Sequence, residues 1–481
     1  MATSFAKGPR RPGPRGWRGT GGGAMPLLPT HPEWRGTTVQ VCGLWPYGAG
    51  SGTPMTGVPL GRSLLTGATV CADPISWFMR AKLISNPSLF VLGQPGLGKS
   101  TVVRRMALGL AGYGVHPLVF GDLKPDYVAL VRALGGQVIT LGSGRGYLNV
   151  LDPGEASAAA ARLTGSARRA LLADMHSRKL HMVSGLITIL RRTPPTEREE
   201  TILSKALRLL DERHHGVPVL GDLLRIVKEA PDELRAVALD RGSMDRYRDI
   251  TELLETSLNS LLGEGRLGET YAHPTSEPMR KDAPVCFDIS GIDDSEVQMQ
   301  AAALLSCWSY GFGAVAAAQA LTNAGLEPQR HYFLILDELW RVLRAGEGLV
   351  DRVDAVTRLN RERGIGTAMI THTMRDLLAL PTAQDQLKAS GFVERSGMVI
   401  CGGLPRDEMP RLTSAVDMTQ AEQNMITSWS TPPSWGSTNE KKDPPGLGNF
   451  LIKVGSRPGI PLHVDLTSAE LDINNTNRRW Q

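Results

Sequence analysis

The run Gly93-Gln94-Pro95-Gly96-Leu97-Gly98-Lys99-Ser100-Thr101 fits G-x-x-x-x-G-K-[ST], a pattern built for a phosphate chain. The glycines let successive backbone N–H groups curl around phosphate oxygens. Lys99 reaches the β- and γ-phosphates, and the Ser100 hydroxyl is a ligand for Mg²⁺. Such a loop needs a strand in front and a helix behind, so that the positive helix end faces the anion. The sequence supplies both: Ser88 to Leu92 is an apolar run, and Ser100 to Gly112 has helical spacing. A chance glycine turn would explain the loop but not its flanks.

The segment His331-Tyr-Phe-Leu-Ile-Leu-Asp337-Glu338 reads as a buried strand with two carboxylates at its C-terminal end, where open α/β sheets hold their ligands. Asp337 is assigned to the Mg²⁺ shell and Glu338 to the attacking water. Solvated acids ending a strand are the alternative, which the phosphate loop in the same chain disfavours. Two adjacent acids, and no Asn-Lys-x-Asp guanine-reading motif, make ATP the expected nucleotide. Arg358, Arg361 and Arg363 lie on a helix-like segment before the apolar strand Gly366 to Thr371. An arginine there could face a neighbouring subunit's γ-phosphate, or simply form a solvated basic face. His372, directly after Thr371, is either a γ-phosphate sensor or an ordinary polar strand end. The pair His214-His215 has no third ligand in view and is read as structural.

Positioning these residues requires a sheet. Further buried-strand candidates are Pro117 to Gly121, Gln137 to Thr140, Val285 to Ile289, Tyr332 to Leu336, Thr367 to Thr371 and Met398 to Cys401. Helical stretches separate several of them, which predicts a mostly parallel sheet covered on both faces. Residues 155–270 show no strand pattern. There Thr196-Glu-Arg-Glu199 is a capping box, and Ile202, Leu203, Ala206, Leu207 and Leu210 share one helical face. Pro231-Asp232-Glu233 opens another helix, and the run to Leu262 is again amphipathic. Lys99 and Asp337 are 238 positions apart, too far for a minimal phosphate-loop domain, so an insertion must intervene.

The expected division is a disordered Gly/Pro/Arg-rich stretch at 1–37 and an irregular or β-rich lead-in at 38–87. An α/β core at 88–154 and 271–466 follows, with an inserted helical domain at 155–270 and a tail at 467–481. Within the core, Asn449 to Gly455 and Leu462 to Leu466 read as strands, and Ser428 to Gly446 as a mobile loop.

The chain has 481 residues, 41% hydrophobic and 21% charged, with a net charge of +5. That is ordinary for a protein with sizeable cores, and too mild a charge to indicate nucleic acid by itself. Cys42, Cys71, Cys286, Cys307 and Cys401 have neither metal nor redox spacing and read as buried reduced thiols. Arg10-Arg11 is followed by no apolar segment, so it is not a twin-arginine signal; Met25 is an alternative start. The most apolar stretch, Ala301 to Ala320, reads as a buried crossover helix between strands rather than a membrane span. A cytoplasmic location is expected, with membrane association only through partners.

Several of these pieces together resemble one family. They are Gly93 to Ser100, Asp122-Leu-Lys124-Pro-Asp126-Tyr127, Leu148-Asn149-Val-Leu-Asp152, Asp337-Glu338, Arg361-x-Arg363-Gly364 and Gly446-Leu-Gly-Asn-Phe-Leu-Ile-Lys453. The chain is similar to the conjugation and type IV secretion ATPases of the VirB-four kind, in the HerA–FtsK clan, over about residues 55 to 466. The resemblance implies a RecA-like core with an inserted all-α domain, assembly as a homo-oligomeric, hexameric ring, and Arg361 acting in trans. It also implies Mg²⁺ and ATP at the site, partners among secretion or conjugation components, and a possible DNA substrate. Two departures stand out: the clan usually has Gln where this chain has His372, and the family's large N-terminal domain is absent or reduced to about 85 residues. Three readings follow: a secretion motor, a DNA-translocating pump of the same clan, or a non-hydrolysing nucleotide-gated scaffold.

Overall fold

The computed structural model describes residues 55–142, 144–262, 266–345, 349–358, 364–380, 382–432 and 443–474. The proposed disordered stretch at 1–37, most of the loop between Ser428 and Gly446, and Arg361 and Arg363 lie outside them.

Eleven strands form one sheet among the described residues. They are β1 (Pro59–Ser63), β2 (Thr69–Cys71), β3 (Ser88–Leu92), β4 (Val115–Asp122), β5 (Gln137–Thr140) and β6 (Val285–Asp288). After them come β7 (His331–Leu336), β8 (Ile365–Ile370), β9 (Met398–Cys401), β10 (Asn449–Lys453) and β11 (Ile460–Val464). Their order is β2-β1-β11-β10-β9-β3-β8-β7-β4-β6-β5. From β9 to β5 every pairing is parallel; from β9 to β2 every pairing is antiparallel. The fold is therefore α/β, a RecA-like core of seven parallel strands carrying an antiparallel extension.

The parallel strands read as continuous apolar runs because both faces are covered. On β3, Phe90 and Leu92 join one core while Leu89 and Val91 join the other. On β7, Leu334 and Leu336 face the first, and Phe333 and Ile335 the second. The second core lies under the helix Lys99–Gly112. The first lies under the helix Val297–Asn323, where Trp308 Nε1 donates to Phe120 O at 2.7 Å. Gly311 there lies directly on the Phe120 ring, and a Cβ at that position would collide with it. This helix is the only described one long and apolar enough to cross a membrane, but 78% of its apolar window is buried within the protein, as a crossover helix requires.

Between β5 and β6 the described chain makes seven helices, the first Ala156–Arg162 and the last Arg266–Tyr271. Thr196 caps Glu197–Arg213 reciprocally: Glu199 N donates to Thr196 Oγ1, and Thr196 N to Glu199 Oε2. The amphipathic run from Pro231 to Leu262 is not continuous. It splits into Asp232–Ala238 and Met244–Leu262, because Leu239, Arg241 and Gly242 take positive φ. These helices share the first core with the sheet. Asn149, fully buried, ties the junction: its side-chain amide donates to Pro218 O at 2.8 Å and its Oδ1 accepts from Leu151 N. His214 closes the helix Glu197–Arg213 and lies 3.4 Å from Asp222.

The lead-in and the tail are more regular than their composition indicates. β1 pairs with its chain neighbour β2 and with β11; β11 is hundreds of positions away, which no local pattern reveals. Ser468–Asn474 is helical, with Arg105 Nη1 donating to Glu470 Oε2 at 2.5 Å.

Candidate active site

The phosphate loop leaves β3 and is held at three points by distant segments. Gly93 N donates to His372 O, Gln94 N to Gly403 O, and Gly448 N to Leu97 O, at 3.1, 2.9 and 3.2 Å. Gly98, the N-cap of the helix Lys99–Gly112, has φ 97°, a left-handed backbone that only glycine adopts without strain. Lys99 is buried and donates Nζ to Gln94 O at 3.1 Å. Burial lowers its ammonium to about 8, against the opposing pull of Asp337 and Glu338.

β7 delivers the two acids to the same place. Ser100 Oγ donates to Asp337 Oδ2 at 3.4 Å. Burial and the neighbouring Glu338 raise Asp337 to about 6. Glu338 takes φ 52° and ψ 35°, a strained conformation for a residue with a side chain, of the kind that clusters at functional sites. Three groups reach its carboxylate. Trp340 Nε1 donates to Oε2 at 2.6 Å, while Lys124 Nζ and His372 Nε2 each lie 3.5 Å from Oε1. Burial pushes this carboxyl up, but His372, Lys124 and Trp340 together hold it at about 2. It is thus ionised and accepting.

The turn after β4 completes the wall. Asp122, raised to about 7 chiefly by burial, accepts from Asp126 N and Tyr127 N at 2.9 and 2.7 Å. Arg104 donates to Asp126 O at 2.6 Å and to Thr101 Oγ1 at 3.3 Å. Tyr127 Oη donates to Asp337 Oδ2 at 3.1 Å. Burial raises Asp126 as well, opposed by Arg104 and a hydrogen bond from Ser100.

Pro95, Gly96, Gly98, Lys99, Ser100, Thr101, Asp337, Glu338 and His372 line one cleft of about 1180 Å³. That is room for a nucleotide, since ligand pockets run to about 1,000 Å³. Gly93, Gln94 and Leu97 shape the loop from behind. Arg358 ends the helix Leu349–Arg358, and its side chain is outside the described residues, as are Arg361 and Arg363. The residue reading passed over Arg104, Lys124, Asp126, Tyr127 and Trp340. The Asp-x-Lys-x-Asp-Tyr spacing was visible, but not that it folds onto Asp337-Glu338.

The donor set suits Mg²⁺. Ser100 Oγ, Asp126 and Asp337 offer hard oxygen ligands of the kind this cation takes. Among the described residues no three His, Cys, Asp or Glu side chains form a self-sufficient metal cage. Mg²⁺ does not need one, because it binds through one or two carboxylates together with substrate phosphates.

No family model and no curated protein matches the sequence. Solved structures do match the fold. VirB4 of Thermoanaerobacter pseudethanolicus superposes with a TM-score of 0.63 at 18% identity, covering 88% of this chain and 100% of that one. The plasmid coupling protein TrwB in complex with ADP and Mg²⁺ gives 0.51 at 13%, covering 86% and 91%. TrwB with the non-hydrolysable ATP analogue ADPNP gives 0.51 at 15%, covering 81% and 87%. The chain, with its phosphate loop on β3 and its paired acids on β7, has the fold of VirB4 and TrwB.

Proposed function

We propose that the protein hydrolyses ATP with Mg²⁺ and that the energy drives assembly or substrate transfer in a conjugative, type IV-like secretion machine. The observation that carries the enzymatic part is the meeting of Lys99, Ser100, Asp337 and Glu338 in one cleft. Lys99 binds the β- and γ-phosphates, and Ser100 and Asp337, helped by Asp126, hold the metal, which neutralises the phosphate charge when bound. Glu338 accepts a hydrogen bond from the attacking water and aims it at the γ-phosphorus. His372, whose Nε2 lies 3.5 Å from Glu338 Oε1, is assigned the sensor role. The likeness to VirB4 and TrwB supports the secretion context.

The proposal extends to a hexameric ring in which Arg361, with Arg358 as the second candidate, reaches a neighbour's γ-phosphate. It includes a cytoplasmic location with membrane contact only through partners, and the division into a core at 88–154 and 271–466 around a helical insert at 155–270. The test is ATP turnover by the purified protein with and without duplex and single-stranded DNA, alongside DNA binding across a salt series. Turnover indifferent to DNA supports the secretion motor. Stimulation by DNA with a steep salt dependence favours the DNA-translocating alternative, and absence of turnover favours the nucleotide-gated scaffold.

A further inference from the structure

We propose that Lys124 is a second phosphate ligand: when a triphosphate enters, its ammonium leaves Glu338 for the γ-phosphate, and Glu338 is left to the attacking water. This rests on the nucleotide-binding reading of the cleft.

Among the described residues, three lysine or arginine side chains line the cleft: Lys99, Arg104 and Lys124. Lys99 is buried against the loop that it serves, and Arg104 is buried and engaged by Asp126 O and Thr101 Oγ1. Lys124 differs from both. Its side chain is 56% exposed, and its one charged contact among the described residues is Glu338 Oε1 at 3.5 Å. An ion pair that long and that exposed holds its lysine weakly, whereas a phosphate oxygen offers a charge-assisted hydrogen bond.

The surroundings favour the exchange. Asp126, Asp293, Asp294, Asp337 and Glu338 all line the same cleft, so an entering triphosphate meets an acidic wall and gains from every mobile cation. The group that polarises the attacking water must stand next to the γ-phosphate, so a lysine resting on Glu338 is within a side chain's length of it. The backbone carrying Lys124 does not have to move. Asp122 fastens the turn through Asp126 N and Tyr127 N, and Arg104 holds Asp126 O. Only the flexible four-carbon stem swings.

The test compares Lys124→Ala and Lys124→Arg with the wild type by calorimetric titration of a non-hydrolysable ATP analogue and of ADP, each with Mg²⁺. The expected result is that Lys124→Ala weakens the triphosphate about tenfold or more and ADP less than about twofold, while Lys124→Arg recovers most of the loss. Unchanged ADP affinity also shows that the variant is folded. Equal losses for both nucleotides, or none for either, overturn the proposal. A wild type that binds neither nucleotide refutes the nucleotide reading itself. A wild type that binds both without turnover refutes only hydrolysis and leaves the affinity comparison decisive.

Discussion

The Tyr127 hydroxyl and the Asp337 carboxylate meet at 3.1 Å, which ties the first of the two acids after β7 to the turn after β4. The phenol is fully buried, and Asp337 receives further support from its neighbour's amide, since Glu338 N donates to Asp337 Oδ1 at 2.9 Å. Removing the hydroxyl takes away the shorter of the two side-chain donors to Asp337 Oδ2 and leaves that oxygen only the 3.4 Å contact from Ser100. Tyr127→Phe should therefore weaken Mg²⁺-dependent nucleotide binding about 10- to 100-fold, the scale for lost partners of metal ligands. Binding measured in excess chelator should stay unchanged. A loss that persists in chelator would mean that Tyr127 shapes the phosphate loop instead.

Lys99 and Glu338 should separate binding from chemistry. Lys99→Ala is expected to abolish detectable ATP binding, and Glu338→Gln to retain binding while losing turnover. Fluorescent-nucleotide titration and phosphate release measure the two. Equal turnover in wild type and Glu338→Gln would sink the catalytic assignment.

Trp340 is expected to act through Glu338. Arg341 and Arg344 stack on its indole, 5.0 and 4.8 Å from the ring, and hold its N–H toward the carboxylate. Trp340→Phe keeps an aromatic ring there but deletes the donor. Turnover should fall about 10- to 100-fold with ATP affinity nearly unchanged, because a misplaced catalytic group costs rate rather than binding. If affinity and turnover fall together, the residue is structural.

Lys453 and Glu422 form a pair that is almost wholly buried, 3.1 Å apart, with Gly459 N also donating to the carboxylate. Burial alone would raise Glu422, but the amides of Thr419 and Gly459 and the Lys453 ammonium outweigh it, so its pKa lies below the ordinary value of 4.5. A depressed carboxyl stabilises the fold above its unfolded pKa and ceases to do so as pH falls through the folded one. Glu422→Gln should cost about 3 kcal/mol at pH 7, and the gap from wild type should shrink below pH 4.5. Urea unfolding at pH 7 and near pH 4 checks both the size and the sign.

Arg361 is expected to serve a neighbouring subunit. Arg361→Ala should lower turnover about 10³-fold or more with ATP binding by the isolated subunit intact. Mixing Arg361→Ala with Glu338→Gln subunits should restore part of the activity. Specific activity insensitive both to mixing and to protein concentration would remove the ring from the proposal.

The parallel strands were legible because burial on both faces makes each an unbroken apolar run between helical spans: β5 and β9 match their sequence bounds, and β3 does too. The phosphate loop and the acid pair were legible as patterns of residue type. What the sequence could not supply is proximity between remote segments. Lys124 lies 214 positions from Glu338, and nothing local to either announces the other. β1 and β2 are short and rich in polar and small residues; β1 is ordered by pairing with β11, and β2 by pairing with β1. The break at Leu239 to Gly242 was hidden because apolar spacing persists across it, while two of its three left-handed residues, Leu239 and Arg241, are not glycine.

The helical insert leaves and rejoins the sheet through two stretches that run side by side. Leu148 N donates to Thr270 O, Asn149 N to Thr275 Oγ1, and Ser276 N to Tyr147 O. The two ends are stapled together by the parent fold, so closing whatever lies between them adds almost no loop entropy beyond what the helices fix for themselves. Such a junction works as a socket. The helices there could be lengthened or exchanged without disturbing strand register, and chains with the same core could diverge in this lobe while β3 and β7 stay as they are.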